Sequence, residues 1–348
     1  MFSSGYLHAS AVKALGLVGI GRERPRILAR DQAGRLDLEA LEAALQADGG
    51  SPAIVVATAG DVNTGDFDPI RAMSVLARKY RAWLHIDGAF GLYAALSPHT
   101  RHLTDGIDSA DSVAVDGHKW LNAPYDTGFA FVRDPAIHAG SFSTTEAYLR
   151  TEALARPVYC NLAVEMSRRA RALPVWATLR AYGRDGYRAM VERHLALAQR
   201  VADQVDEAPD LERLADVPLN VVCFRFHPPD VPEADLDEMN RRLGAMVLED
   251  GRVYFGTTEY AGKVSFRPAV VNWRTRRRGP HRDGRTRVGR ETPGYGAGRL
   301  IGGRSESAGL AGATSRLAWR TSSILRASRF ISRSPRSSRL TIWRRISS

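Results

Sequence analysis

The first 134 residues alternate between helix patterns and short apolar runs, and this alternation narrows the available folds more than any other feature. Residues 36–46 ("LDLEALEAALQ") carry apolar side chains three and four positions apart, which predicts an amphipathic helix. Residues 68–82 predict a second helix with Pro69 in its first turn. Continuously apolar runs predict strands at 53–59, 83–90, 112–119 and 128–134. Helices alternating with such strands indicate the α/β class, with a mostly parallel sheet between helices.

The pattern changes after about residue 160. Two long helices are predicted at 166–183 and 185–205, and a third near 233–249. Further strands are predicted at 220–226, 251–257 and 263–269. This order predicts a large domain over residues 1–174 and a small α+β C-terminal domain over 175–273.

Five chemically distinctive residues lie at or just after the carboxyl ends of three of the predicted strands. Asn63 follows the first strand, Asp87 and Ala89 the second, and His118 and Lys119 the third. The carboxyl ends of parallel strands meet at one edge of a sheet, where ligands bind, so we expect these side chains around one crevice. Taken singly, Asp87 also suits a turn cap and Lys119 a surface charge, because solvent begins at a strand end.

A carboxylate and an amine at neighbouring strand ends, with a small residue beside the carboxylate, suit pyridoxal 5'-phosphate (PLP). Lys119 would form an imine with the cofactor aldehyde. Asp87 would hydrogen-bond the pyridine nitrogen and favour its protonated, electron-accepting form, and Ala89 would let the ring lie close. The combination therefore predicts a PLP site.

Two segments carry a specific family resemblance: "WLHIDGAFG" (83–91) and "DSVAVDGHKWLNAPYDTGFAFVRD" (111–134). Residues 8–21, 55–69 and 167–183 add to it. In these segments the chain resembles the group II PLP-dependent decarboxylases, which include aromatic-L-amino-acid and glutamate decarboxylases. The resemblance runs from about residue 2 to about residue 273 and implies the aspartate aminotransferase fold (fold type I).

The resemblance also implies roles for single residues. Lys119 corresponds to the Schiff-base lysine and His118 to its neighbour that touches the cofactor phosphate. His8 would stack on the pyridine ring, and Asn63 would make a polar contact with the cofactor. Tyr148 matches a tyrosine on the family's mobile loop, which reaches a neighbouring subunit's site and helps protonate the intermediate after carbon dioxide leaves. An exposed loop aromatic is the alternative reading of Tyr148.

The implied activity is decarboxylation of an amino acid to an amine and carbon dioxide, in a homodimer. The "HKW" triplet at 118–120 and "SRR" at 167–169 favour a decarboxylase over another fold type I reaction such as aminotransfer. Because the family has much more chain before His8, we expect an N-terminally truncated decarboxylase. An inactive fragment is therefore an alternative, and the substrate cannot be read from the sequence.

Two residues outside the group at the strand ends, His85 and Arg267, each have two possible interpretations. His85 lies two residues before Asp87 and faces the same way on a strand, so it either supports the site or packs in the core. Arg267 either meets a substrate carboxylate or forms a structural ion pair.

Composition excludes several other classes of protein. The two cysteines, Cys160 and Cys223, lie far apart, and no Cys/His cluster is present, so neither a disulfide framework nor a zinc site is expected. The start of the chain does not resemble a signal peptide, and residues 53–59, the longest apolar run, are too short to span a bilayer. The expected location is the cytoplasm.

The basic excess is confined to the end of the chain. The net charge is +11, yet residues 274–348 hold 19 arginines, no lysine and three acidic residues, so the rest of the chain is mildly acidic. One interpretation is a disordered nucleic-acid-binding tail. The other is out-of-frame sequence, which the absence of lysine and of spaced aromatic residues favours. We therefore expect no nucleic-acid partner.

Overall fold

The computed structural model describes residues 1–143, 159–278 and 287–289, and a six-stranded sheet organises the first of these ranges. Its strands lie in the spatial order β2-β1-β3-β4-β5-β6. Strands β1 to β5 run parallel, and β6 is antiparallel to β5. The strands are β1 (Phe2–Ser3), β2 (Arg26–Ile27), β3 (Ile54–Thr58), β4 (Trp83–Asp87), β5 (Ser112–Asp116) and β6 (Gly128–Val132). The predicted α/β class with a mostly parallel sheet is confirmed.

Four α-helices accompany this sheet within residues 1–143: α1 (Ala9–Leu17), α2 (Leu38–Ala47), α3 (Ile70–Lys79) and α4 (Pro135–Phe142). Asp37 starts α2, where its carboxylate accepts from the amide N–H of Ala40 at 3.0 Å and satisfies a donor that the helix leaves unpaired. Helix α3 is shorter than the predicted range 68–82, because it begins at Ile70, after Pro69, and ends at Lys79.

The core of this layer comes from the apolar runs that predicted the strands. Val55 and Ile86 are fully buried on β3 and β4, and Leu41 of α2 and Met73 of α3 belong to the same cluster. Burying a leucine side chain contributes about 1.5–3 kcal/mol, so this cluster makes β3 and β4 a rigid centre of the sheet. Asp87 is the last residue of β4, and Asn63 follows the end of β3, so these two strands determine where both residues lie.

A long helix, α5 (Ala172–Asp206), follows the sheet and contains a break at Gly183. The backbone there has φ 61° and ψ −178°, a conformation that is essentially restricted to glycine. The break divides the helix where two separate helices were predicted. The boundary predicted at residue 175 falls inside α5, and the division into two domains stays a prediction.

The second sheet is antiparallel throughout and has the order β7-β8-β10-β9. Its elements are β7 (Leu211–Arg213), β8 (Phe224–Phe226), α6 (Glu233–Asp250), β9 (Thr257–Tyr260) and β10 (Lys263–Phe266). Phe224, Phe226 and Phe266 form a core with Leu243 of α6 and Ala198 of α5. The second sheet is thereby attached to the same helix that follows the first.

The strand predicted at 251–257 is wrong. Strand β9 starts at Thr257 and pairs with β10 across a two-residue turn at Ala261 and Gly262, which both have positive φ angles of 49° and 73°. Two such residues make the turn whose twist suits a β-hairpin. The apolar pattern of residues 251–257 includes Phe255, which is buried, although residues 251–256 form no strand.

The Arg-rich tail lies mostly outside the described residues. Its described part forms a short antiparallel ladder of β11 (Arg276–Arg278) with β12 (Arg287–Gly289), which the sequence pattern did not predict. Across all the described ranges, no helix is both long and apolar enough to cross a membrane.

Candidate active site

The parallel register brings the ends of three strands, β3, β4 and β5, to one edge of the first sheet. Thr58 at the end of β3 pairs with Asp87 at the end of β4, and Asp87 pairs with Ala114 of β5. The main chain continues this contact, because the amide N–H of Ala59 donates to the Asp87 carbonyl at 2.8 Å. The residues after β3, β4 and β5 therefore lie along the same edge, as the sequence pattern predicts.

Lys119 sits on a tight turn after β5. The amide N–H groups of Gly117 and His118 both donate to the carbonyl of Thr127, at 2.9 and 3.3 Å. A Cβ atom at position 117 would lie 2.6 Å from the Thr127 side chain, so only glycine allows this close approach. The turn is thus held against the start of β6, which fixes where the lysine leaves the sheet.

Asp116 is the partner of Lys119. Its carboxylate lies 3.0 Å from the Lys119 amine and 3.7 Å from Nε2 of His118. Both partners are part-exposed, at 39% for Lys119 and 30% for Asp116, so solvent screens the pair and its net contribution to stability is small. Asp116 is not among the site residues predicted from the sequence, although its position three residues before the lysine is a signal in the sequence.

His118 is held by its ring. Nδ1 lies 2.7 Å from the carbonyl of Thr127, which can only accept, so Nδ1 carries a proton and Nε2 is directed elsewhere. The ring also stacks on Tyr125, with centroids 4.2 Å apart. These contacts fix the ring and leave Nε2 3.7 Å from the Asp116 carboxylate.

Asp87 and Ala89 form the second part of the edge. The Ala89 amide N–H donates to Asp87 Oδ1 at 3.1 Å, and no other side-chain hydrogen bond to Asp87 occurs in the described part of the chain. His85, on the same face of β4, bonds Ser112 Oγ at 2.8 Å through Nδ1. Burial lowers the pKa of His85, against the opposing effect of the Asp87 charge, so His85 is a neutral packed residue near neutral pH.

His8 and Asn63 have other partners. His8 is exposed and caps α1, where Nδ1 accepts from the Ser10 amide N–H at 3.2 Å. Asn63 follows β3, and its side-chain oxygen accepts from Thr258 Oγ1 of the second sheet at 2.8 Å. Within the described ranges neither residue bonds to Lys119 or Asp87. Their roles at the cofactor stay predictions.

The last two predicted residues are Tyr148 and Arg267. Tyr148 lies outside the described residues. Within the described residues, Arg267 forms no ion pair and no hydrogen bond with Lys119. Its guanidinium donates to the Val62 carbonyl at 3.3 Å. This bond, like that of Asn63, ties the loop after β3 to the second sheet.

A cleft of about 660 Å³ opens at the amino ends of β3 and β4, which is the opposite edge of the sheet. Ile54 and Trp83, the first residues of those strands, line it together with Arg78, Arg81 and Arg133. It includes none of the predicted site residues, so the candidate active site is the carboxyl edge and not this cleft.

The residues at the carboxyl edge fit PLP. The Lys119 amine is part-exposed and therefore accessible to an aldehyde. Asp87 keeps one carboxylate oxygen free of side-chain and main-chain donors among the described residues, which a protonated ring nitrogen requires. Ala89 leaves room beside it. In the described chain no cluster of His, Cys, Asp and Glu side chains is arranged to hold a metal ion.

A mostly parallel sheet with an amine and a carboxylate at adjacent strand ends defines a class of cofactor-dependent enzymes. Comparison with known proteins identifies the family. Residues 1–227 match the pyridoxal-dependent decarboxylase conserved domain. The chain therefore belongs to the pyridoxal-dependent decarboxylase family, and the predicted resemblance to group II decarboxylases is confirmed.

Individual relatives agree with this assignment. The chain is 32% identical over 278 residues to tyrosine decarboxylase 2 of Arabidopsis thaliana, covering 78% of this chain and 51% of that protein. It is 34% identical over 279 residues to aromatic-L-amino-acid decarboxylase of Drosophila lebanonensis, covering 79% and 67%. The chain thus spans about half the length of the Arabidopsis relative.

A solved structure extends the likeness to the fold. The crystal structure of Oryza sativa TDC with PLP and tryptamine matches with a TM-score of 0.72 and 28% sequence identity, over 78% of this chain and 58% of that one. The predicted fold type I architecture is therefore confirmed. PLP is the cofactor of the family to which the chain belongs.

Proposed function

We propose that this chain is the PLP-binding part of an amino-acid decarboxylase, which converts an amino acid to an amine and carbon dioxide. The observation that carries the proposal is the position of Lys119. Its amine leaves the sheet one strand away from Asp87, within the region that matches the family model. Bound PLP supplies an electron-accepting ring that takes up the electron pair left by the departing carboxylate.

Several residues of the chain would each have a separate role in binding the cofactor or in the reaction. Lys119 would hold the cofactor covalently, and Asp87 would keep a proton on the ring nitrogen through its free carboxylate oxygen. His118, fixed through Nδ1 on the Thr127 carbonyl, would present Nε2 to a polar group of the cofactor. His8 and Asn63 follow β1 and β3 in the chain and would complete the ring contacts. Tyr148 would reach the site of a neighbouring subunit and help to supply the proton that replaces the lost carboxylate.

Asp116 adds a requirement that the sequence did not suggest. An amine attacks an aldehyde through its nitrogen lone pair, and the nitrogen of Lys119 lies in an ion pair with the Asp116 carboxylate at 3.0 Å. Capture of the cofactor therefore has to displace this ion pair. We infer that Asp116 holds the amine in place until the aldehyde arrives.

The relatives favour an aromatic L-amino acid as the substrate class, since they are named tyrosine and aromatic-L-amino-acid decarboxylases. The assembly we propose is a homodimer, because several large apolar side chains near the start of α5 are exposed. We place the protein in the cytoplasm, because Cys160 and Cys223 are both free thiols.

The covalent test uses the full chain with PLP. We expect a visible absorbance and, after borohydride reduction, a phosphopyridoxyl group on the peptide that contains Lys119. Lys119→Ala should abolish both signals. Lys79→Ala is the matched control, because Lys79 is a surface lysine paired with Glu42, and this substitution should preserve them.

The reaction test separates the proposed activity from its alternatives. With L-tyrosine or L-tryptophan, a decarboxylase releases carbon dioxide and amine in equal amounts. Release of a keto acid without carbon dioxide would instead identify an aminotransferase. Cofactor capture without any product would identify an inactive fragment, and absence of capture in the parent chain would refute the proposal at its covalent step.

A further inference from the structure

Trp120, the residue directly after Lys119, is fully buried and bound by a histidine from α5. Its indole Nε1–H donates to Nδ1 of His194 at 2.9 Å. The two rings also lie nearly parallel, with centroids 6.4 Å apart and an interplanar angle of 17°. The turn that carries Lys119 is thus anchored to a helix 74 residues away in the chain.

The hydrogen bonds define which proton His194 carries. An indole N–H can only donate, so Nδ1 must accept and Nε2 must hold the ring proton. Nε2 lies 3.1 Å from the Asn272 carbonyl, which accepts that proton. Burial, assisted by the neighbouring Arg193 charge, lowers the pKa of His194 to about 4, so this neutral tautomer persists at physiological pH.

Asn122, in the turn after Lys119, binds the main chain on both sides of Asn272. Asn122 adopts a positive φ of 57° and donates to the carbonyls of Trp120 and Val271, at 2.8 and 2.9 Å. Its side-chain oxygen accepts from the Trp273 amide N–H at 3.1 Å. Residues 271–273, which return from the second sheet, are therefore fixed to the turn after Lys119 by His194 and Asn122 together.

Arg193 extends the attachment on α5. Its guanidinium donates to the carbonyls of Trp273 and Thr275, at 3.0 and 3.2 Å. A polar side chain as deeply buried as His194 is costly unless both of its ring nitrogens are bonded, and here both are. An apolar residue would fill this space without that requirement, so simple packing does not account for the choice of histidine.

We propose that His194 is a positioning residue, which sets the orientation of the Lys119 turn by holding the Trp120 indole and anchoring it to residues 271–273. The inference rests on the proposed role of Lys119 in capturing PLP. The indole of Trp120 fixes one end of a three-residue span, and the Thr127 carbonyl fixes the other end through His118. Lys119 lies between these two fixed points, so its amine is presented in one direction.

Two substitutions separate the bonds of His194. The amide oxygen of asparagine can take the place of Nδ1, so His194→Asn keeps the Trp120 bond and loses the Asn272 bond. The amide nitrogen of glutamine can take the place of Nε2, so His194→Gln keeps the Asn272 bond and leaves the indole N–H unpaired. Because a buried unpaired donor is costly, we expect His194→Gln to slow PLP capture on Lys119 about tenfold and His194→Asn to slow it less than about threefold.

A double-mutant cycle tests whether the effect passes through the indole. Trp120→Phe removes the donor and should slow capture as His194→Gln does, and the double variant should be no slower than either single one. The indole N–H resonance of Trp120, in isotope-labelled full chain, should move in His194→Gln and stay in place in His194→Asn. Additive effects, or equal effects of the two His194 variants, would overturn the inference.

A stability control separates positioning from general loosening. Asn240 is fully buried on α6 and bonds the main chain of Phe226 and Leu236, so Asn240→Ala removes buried hydrogen bonds without touching Trp120. It should lower the unfolding temperature and leave PLP capture within about twofold of the parent. Slowing of capture in Asn240→Ala as large as in His194→Gln would overturn the inference.

A second readout does not depend on the cofactor. Formaldehyde with borohydride labels lysine amines, and labelling of Lys119 is measured relative to Lys79 by peptide mass. A loosened turn releases the amine from Asp116, so His194→Gln should label Lys119 severalfold faster than the parent and His194→Asn should not. If the parent captures no PLP, the proposed function fails, and this ratio alone decides the inference: an unchanged ratio overturns it.

Discussion

Asp68 is a buried carboxyl group whose environment favours its neutral form. It is 3% exposed and lies just before α3, where Oδ2 accepts from the Thr58 amide N–H at 2.7 Å and from Ser4 Oγ at 2.9 Å. Oδ1 has no hydrogen-bond partner among the described residues. Burial is the main cause that raises the pKa of Asp68 to about 7, and the charges of Asp66 and Asp61 add to it.

This raised pKa predicts a loss of stability as the pH rises. The unfolded carboxyl ionises near pH ~4, whereas the folded one keeps its proton until about pH 7, so the unfolded state binds fewer protons between these values. The free energy of unfolding should therefore fall by roughly 2–4 kcal/mol from pH ~4 to ~7.5 through this group. Asp68→Asn should remove that part of the slope in urea unfolding measured across the range. An unchanged slope in the variant would contradict the prediction.

Single residues also mark the limit of what the sequence could predict about the site. The placement of Asp87, Ala89 and Lys119 on one edge follows from the rule that parallel strands end together, and a strand pattern suffices for it. The bonds of Asp116 and His194 depend on how the chain turns after β5 and on a helix far along the sequence. No periodic signal carries that information.

Among the elements, α5 depends on one glycine. Gly183 has φ 61° and ψ −178°, and the space around a Cβ built there is empty. A side chain at this position would therefore meet no clash, and its whole cost would be backbone strain. Val175 before the break and Tyr187 and Val191 after it are buried in one apolar cluster, so both halves of the helix pack against the same core on either side of the break.

Gly183→Ala should destabilise the protein by about 1–3 kcal/mol, because alanine is strained at these angles. Gly140, within α4, is the matched control, since its Cβ would also meet open space but its φ is not positive. Gly140→Ala should be neutral or stabilise by about 0.4–1 kcal/mol. Urea unfolding of both variants measures the difference; equal effects would show that strain at Gly183 is not the cause.

Strands were predicted correctly where apolar residues follow one another in the sequence, and they were missed where main-chain geometry determines the pairing. Strands β3 to β6 were predicted within a few residues from their apolar runs. Strand β9 is polar ("TTEY"), and its pairing comes from the Ala261–Gly262 turn, so an apolar pattern could not reveal it. The ladder of β11 with β12 likewise uses main-chain bonds in an Arg-rich segment.

At the scale of the whole molecule, apolar side chains remain uncovered on one stretch. Residues 159–182 expose Val164 at 84%, Leu173 at 63% and Trp176 at 61%, together with Tyr159, Met166, Leu179 and Tyr182. Single exposed apolar residues are ordinary, but a group of seven in 24 residues indicates a contact surface. The proposed homodimer would bury this stretch against a second copy of the chain.

The full chain should therefore sediment with a mass of roughly twice 38.2 kDa at micromolar concentration and dissociate on dilution. Trp176→Glu should shift the equilibrium toward the monomer at least about tenfold, because a charge in a contact surface has to be desolvated without a partner. Leu248→Glu is the control: Leu248 is 47% exposed on α6, outside this stretch, and its substitution should leave the mass unchanged. A parent chain that stays monomeric at every concentration, or equal shifts in both variants, would show that residues 159–182 do not mediate self-association.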